Sequence, residues 1–179
     1  MENISDEMAM QNVKDGNIAE MSVLFERYHL KLFNFFHKMG LQRDISQDLT
    51  QNLFYRMIKY KHTYKSGSSV KSWIYQIARN LHADYCKQHK RSEDLILNTE
   101  IYSDDPIAET NTYPEEDYEK LDRAFSALST AQKEIIILSR YQGLKYEEIS
   151  VITNQSVTAI KVSMHRALRQ LRSIYMKQN

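Results

Sequence analysis

Between residues 92 and 122 the chain carries eleven Asp or Glu against a single Lys, a net charge of −10. This stretch includes Asp104, Asp105 and Pro106, and then Pro114, Glu115, Glu116 and Asp117. A segment that repels itself and offers few large apolar side chains buries too little surface to offset the entropy of ordering it. The expectation is a flexible acidic linker over 92–122, which divides 179 residues into two small blocks, 12–91 and 123–176. The flanks have the opposite sign: residues 55–91 carry nine Lys/Arg and one Asp, and residues 123–179 carry nine Lys/Arg and three Glu. A total of +1 therefore hides a basic, acidic, basic order along the chain. The plain reading of the acidic block is a solvated spacer. The sharper one is a polyanion mimic, shielding the basic blocks in cis or lying in a positively charged channel of a partner.

Four Gly and two Pro are too few for the turns of an all-β protein, and Leu, Ile, Lys, Gln and Met recur at helical spacing. The fold class expected is all-α, as two small helical domains. Cys86 is the one cysteine, so it has neither a disulfide partner nor a second thiol for a metal site, which fits a reducing compartment and a cytoplasmic location. No apolar run approaches the roughly 20 residues needed to span a bilayer. The acidic start, with Glu2, Asp6 and Glu7, lacks the basic-then-apolar order of an export signal. Nothing calls for a cofactor.

In the first block, Leu24, Tyr28, Leu32 and Phe35, with Phe25 and Phe36 beside them, mark a helix over about 18–39 that Gly40 is placed to end. His29 and His37 lack Cys or carboxylates at ligand spacing and read as ordinary histidines. The helix "DISQDLTQNLFYRMIKY" should bury Ile45, Leu49, Leu53 and Met57. Asp48, Gln51, Asn52 and Tyr55 then share another face, spaced i, i+3, i+4 and i+7. That face is either merely solvated or, with acceptors, donors and one rigid ring, suited to docking a charged partner helix.

After the loop "KHTYKSGSSV", the helix "KSWIYQIARNLHADYCKQHKR" should bury Ile74, Ile77, Ala78, Leu81 and Tyr85. Trp73, Gln76, Asn80, Lys87 and Arg91 then lie on a face about 100 degrees away. An indole, two amides and a run of cations match the needs of unpaired nucleic acid, π-faces for stacking and positive charge for phosphates. Tyr64 and Tyr75, like Trp73, are candidates to stack on unpaired bases, and on periodicity alone Trp73 is equally a core residue.

The second block opens with Ser129 and Gln132 in a capping-box arrangement, and Gly143 is placed to close that helix. A second helix over about 146–152 and the turn "TNQS" follow. A third helix then starts with Ser156 as its N-cap, completing a helix-turn-helix. Val157, Ile160, Met164, Leu168 and Leu171 cluster on one side of it. Thr158, Ala159, Val162, His165, Arg166 and Arg169 face away, with Lys161 on the flank. The arginines are candidates for phosphate or guanine contacts, Lys161 for a phosphate, and Ala159 and Val162 for thymine methyl groups. A surface-packing role for Val162 stands beside that. Lys145 occupies the cap position of the second helix, where a cation opposes the dipole, and Glu147 and Glu148 partly offset it.

In their order, "LFERYHLKLFNFF", "DLTQNLFYRM", "SWIYQIARNLHADY", an acidic linker and "LSTAQKEIIILSRYQGLKYEEISVIT…SVTAIKVSMHRALRQLR" resemble the sigma-70 family, specifically its small extracytoplasmic-function (ECF) group. The resemblance implies a transcription initiation subunit with sigma regions 2 and 4 only, and no enzymatic activity. It implies that Asp48, Gln51, Asn52 and Tyr55 bind core RNA polymerase at the beta-prime coiled coil. Tyr64, Trp73, Gln76, Asn80, Lys87 and Arg91 would open and hold the minus-ten element of promoter DNA. Ser156, Thr158, Ala159, Lys161, Val162, His165, Arg166 and Arg169 would read the minus-thirty-five element, with a further contact to the beta flap. The linker would thread the channel later used by RNA, and an anti-sigma factor is a common partner in this group. Three positions depart from the pattern: Asn52 stands where Glu is frequent, and Lys145 replaces a Ser/Thr cap. Ala159, Val162 and Ser163 replace residues often polar or basic, so the promoter sequence is not transferable from relatives. Two rivals compete with this reading. One is a stand-alone helix-turn-helix regulator. The other is a metal-assisted phosphodiesterase using Asp44, Asp48 and the histidines, which lack a nucleophile, base and ligand in register.

Overall fold

The structure, a computed structural model, describes residues 4–93 and 115–177, with side chains over 4–89 and 119–177. Among the described residues every regular element is helical, and the α-helices fall into two compact units of four each.

The first unit opens with a helix that the apolar periodicity does not announce. Helix α1 (Asp6–Lys14) starts at Ser5, whose side chain accepts the Met8 N–H at 3.2 Å. Asp6 and Glu7 in its first turn and Lys14 in its last complement the helix dipole. Only Ala9, Met10 and Val13 are buried, too short a stripe to stand out in the sequence. It packs on α4, so the unit begins before residue 12, the start expected from sequence. A 3₁₀ turn (Ile18–Glu20) leads into α2 (Met21–Lys38), which buries Leu24, Tyr28, Leu32, Phe35 and Phe36 as the stripe predicts. Phe25 is the exception, 45% exposed, with its ring tilted against Phe54 at 4.9 Å. Gly40 follows with φ +96°, a backbone that favours glycine.

Helix α3 (Arg43–Lys59) corrects the expected stripe by one residue. Ser46, Thr50, Leu53, Phe54 and Met57 are buried, while Ile45 and Leu49 are only half-buried. Ser46 Oγ donates to Gln42 O at 2.8 Å and Thr50 Oγ to Ser46 O at 2.7 Å. Hydroxyls satisfied on their own helix enter a core at little cost, and hydropathy alone misses them. After a 3₁₀ turn (Lys61–Thr63), α4 (Val70–Glu93) buries Ile74, Ala78 and Leu81 as expected, with Ile77 and Tyr85 half-buried. Val70, Ser72, Tyr75 and His82 are buried as well, and Tyr75 meets Phe35 edge-on at 5.6 Å.

In the second unit, α5 (Glu115–Ser126) takes in the last eight residues of the expected linker. Composition alone reads this acidic, proline-containing stretch as linker, whereas its C-terminal part is helical. Residues 92 and 93 of that linker end α4, and residues 94–114 lie outside the described residues. Helix α6 (Thr130–Ile136) begins at the anticipated capping box: Gln132 Oε1 accepts the Ser129 N–H at 3.0 Å, and Ser129 Oγ accepts the Gln132 N–H at 3.4 Å. It runs into a π turn (Ile137–Tyr141), and Gly143 at φ +63° ends it. Helices α7 (Tyr146–Thr153) and α8 (Val157–Met176) are joined through Asn154, left-handed at φ +55°. Helices α5, α6 and α7 each pack on α8, around Ile135, Leu138, Ile149, Ile160, Met164 and Ala167.

Candidate nucleic-acid and polymerase interfaces

The outer side of α3 presents Asp48, Gln51, Asn52 and Tyr55, all exposed, with Tyr55 at 61%. Half-buried Ile45 and Leu49 flank them, displaced from the core by the Ser46–Thr50 stripe. The Lys59 ammonium lies 5.7 Å from the Tyr55 ring centroid, within cation–π range. Acceptors, amides and a partly apolar flank on one rigid helix form a surface that a second helix can pack against.

Next to it, α3 and α4 enclose a shallow groove of about 360 Å³ lined by Arg56, Tyr60, Thr63, Trp73, Gln76, Ile77 and Asn80. Trp73, Gln76 and Asn80 are thus brought together as expected, and Asn80 is exposed. Trp73 is half-buried, its ring tilted on Tyr64 at 5.5 Å while it also lines the groove, so the core and surface readings each hold in part. Lys87 is exposed further along α4, and the Arg91 side chain lies outside the described residues.

Tyr64 is corrected: it is 1% exposed and offers no face for a base to stack on in this conformation. Its hydroxyl donates to Ser68 O at 2.7 Å, which ties the ring to the loop, and burial pushes the phenol pKa up. Tyr75 is fully buried and is likewise no stacking platform. Tyr60, 43% exposed, is the tyrosine that does reach the groove. Arg56 was also missed, because it lies on α3 and joins the α4 residues only through packing. Its guanidinium sits 3.5 Å from the Asp84 carboxylate.

On α8 the outward face is Thr158, Lys161, Val162, His165, Arg166 and Arg169, all exposed, with Ala159 half-buried. Ser156 Oγ accepts the Ala159 N–H at 3.1 Å, so the hydroxyl already works as the N-cap. Ile160, Met164 and Ala167 are the fully buried side, while Val157, Leu168 and Leu171 are half-buried. Arg166, Arg169, Gln170, Ser173, Ile174 and Lys177 border a shallow concavity of about 430 Å³. The Gln132 amide donates to Gln170 Oε1 at 2.8 Å and ties α6 to α8. At α7, the Glu148 carboxylate accepts the Lys145 N–H at 2.8 Å, one half of a capping box. The Lys145 ammonium has no lone pair to supply the other half.

His29 and His37 stack on Phe25 and Phe33 at 4.8 and 5.8 Å, and the Nδ1 of each contacts a backbone carbonyl. Among the described residues no group of three or more His, Cys, Asp or Glu is placed to hold a metal ion, and no helix is long and apolar enough to cross a membrane.

The first unit thus carries a groove beside an exposed polar face of α3, and the second a helix-turn-helix. The family profiles agree segment by segment: "Sigma-70 region 2" matches residues 24–92 and "Sigma-70, region 4" matches residues 118–171. The chain belongs to the sigma-70 family, within the ECF group, and directs transcription initiation as a sigma factor. It is 27% identical over 156 residues to the ECF RNA polymerase sigma factor SigX of Bacillus subtilis, covering 84% of this chain and 80% of that relative. It is 29% identical over 156 residues to SigM of the same organism, covering 85% and 93%. Two solved structures share the fold. CnrH, in complex with the cytosolic domain of CnrY, gives a TM-score of 0.75 at 16% identity, over 97% of this chain and 99% of that one. The sigma factor RpoE, in complex with the anti-sigma factor NepR from Bartonella quintana, gives 0.73 at 23% identity, over 84% and 92%. Both regions match in order, and the stand-alone regulator is not favoured.

Proposed function

We propose that the three surfaces divide promoter recognition among them. The α3 face of Asp48, Gln51, Asn52 and Tyr55 docks on the beta-prime coiled coil of core RNA polymerase. The α3–α4 groove holds unpaired minus-ten bases, with Trp73 as the stacking surface, Gln76 and Asn80 as hydrogen-bonding amides, and Lys87 and Arg91 along the phosphates. The α8 face reads the minus-thirty-five duplex, and its unit also touches the beta flap. An anti-sigma factor that covers the basic surfaces fits the same chemistry, and the cytoplasm, where the polymerase acts, is the location that follows.

The observation that carries this reading is the groove, where an indole and two amides from α4 meet Arg56 and Tyr60 from the α3 side. Stacking contributes about 1–3 kcal/mol per base, enough to offset part of the unpairing of a few base pairs. The test is run-off transcription with core polymerase on genomic fragments, joined to permanganate footprinting. Trp73→Ala and Asn80→Ala should spare polymerase binding and weaken thymine reactivity at minus ten. Arg166→Ala and Arg169→Ala should weaken binding to the upstream element, by roughly 1–3 kcal/mol for any residue with a bidentate base contact. Normal thymine reactivity in Trp73→Ala would remove the argument for the groove.

A further inference from the structure

We propose that helix α1 is a brace that positions the segment 61–70 for minus-ten recognition, an inference that rests on the groove reading above. Four polar links join α1 to that segment across a long stretch of sequence. Lys14 Nζ donates to Tyr64 O at 2.7 Å, and Ser66 Oγ donates to Gln11 Oε1 at 2.6 Å. Lys61 Nζ donates to Val13 O at 3.0 Å, and the Val70 N–H donates to Glu7 Oε1 at 3.4 Å.

Two of these links are helix-end contacts of opposite sign. The Lys61 ammonium sits on a last-turn carbonyl of α1, and the Glu7 carboxylate meets the first amide of α4. Each charge lies where the dipole of the helix it touches favours it. Under the links, Met10 and Val13 of α1 and Tyr64 and Val70 of the segment are all buried. The brace has a fixed base as well. Asp6 accepts from the Tyr28 hydroxyl and from Arg27, which holds α1 to α2.

What the brace holds is the approach to the groove. The Tyr64 ring lies against Trp73, its hydroxyl holds Ser68 O, and Gly67 turns the loop at φ +82°. The Ser69 hydroxyl then accepts the Ser72 N–H as α4 begins. A loop already fixed in this way loses less freedom when a strand binds beside it, the general advantage of a preorganised site. Lys14 and Lys61 direct their charge to these carbonyls, leaving exposed Lys65 to face phosphates.

The full-length chain with core polymerase tests the brace. The variants are Gln11→Ala with Lys14→Met, the conservative Lys14→Arg, and Trp73→Ala as the groove control. In the double variant, holoenzyme affinity should stay within twofold, thymine reactivity at minus ten should drop at least fivefold, and amide exchange over 65–70 should quicken in the free chain while that of α3 does not. Lys14→Arg should retain at least half of the reactivity, because a guanidinium reaches the same carbonyl. Unchanged reactivity and exchange in the double variant, with Trp73→Ala impaired, overturns the brace and leaves the groove reading standing. Loss of core binding together with opening in both Lys14 variants reduces α1 to a folding element and also overturns it. Full reactivity in Trp73→Ala removes the groove reading, and the brace with it.

Discussion

Tyr64 carries the clearest lesson at the scale of single residues. In sequence it sits in a basic, aromatic-rich stretch, where a ring is as easily a platform for bases as a part of the core. The structure gives it to the core, with its hydroxyl held by the Ser68 carbonyl. The two roles respond differently to Tyr64→Phe, since a stacking ring loses nothing essential with its hydroxyl. A loop-fixing tyrosine loses one hydrogen bond, worth about 1 kcal/mol of stability, and Tyr64→Ala should cost about 3–5 kcal/mol with the packing gone. Urea midpoints measure both, and a Phe variant as stable as the parent would exclude the loop-fixing role. Trp73, Gln76 and Asn80 were legible because they share one helix face, where spacing alone groups them. Arg56 and Tyr60 were not, because they meet the groove from another element and only tertiary packing brings them in.

Elements were legible where their ends carry chemical signals. The Ser129–Gln132 box, the Ser156 cap and Gly143 all stand where side-chain chemistry placed them. Hydropathy was the weaker guide, since it put Ile45 and Leu49 in the core of α3, where Ser46 and Thr50 stand. It also passed over α1, whose three buried residues make no visible stripe. The cap of α7 is a defect readable in both sequence and structure, because Lys145 lacks an acceptor for the first-turn amides. Lys145→Ser supplies one and should stabilise the second unit by about 1 kcal/mol. A thermal or urea melt of the variant checks this, and no gain would mean that those amides are already satisfied.

At the scale of the whole molecule, charge order is the property that no single helix reveals. Two basic segments of +8 and +6 are separated by an acidic one of −10. If the acidic segment shields the basic ones in cis, Asp104→Asn, Asp105→Asn and Glu109→Gln together should tighten binding of the free chain to nonspecific duplex, by about tenfold at low salt. The difference should shrink as salt rises and the Debye length falls below about 10 Å. Fluorescence anisotropy at two salt concentrations measures it. Unchanged affinity in the free chain, with weaker holoenzyme assembly, would assign the segment to a polymerase channel instead.

The turn between α7 and α8 passes through Asn154 in the left-handed region, and the chain enters α8 by way of that backbone conformation. Asparagine, aspartate and glycine adopt it readily, whereas β-branched residues strain against it. Mutational tolerance here is therefore narrow in a way unrelated to DNA contact. A library at position 154 scored for upstream-element binding would return a three-letter alphabet, while neighbouring Gln155, exposed on the same turn, would accept nearly any residue.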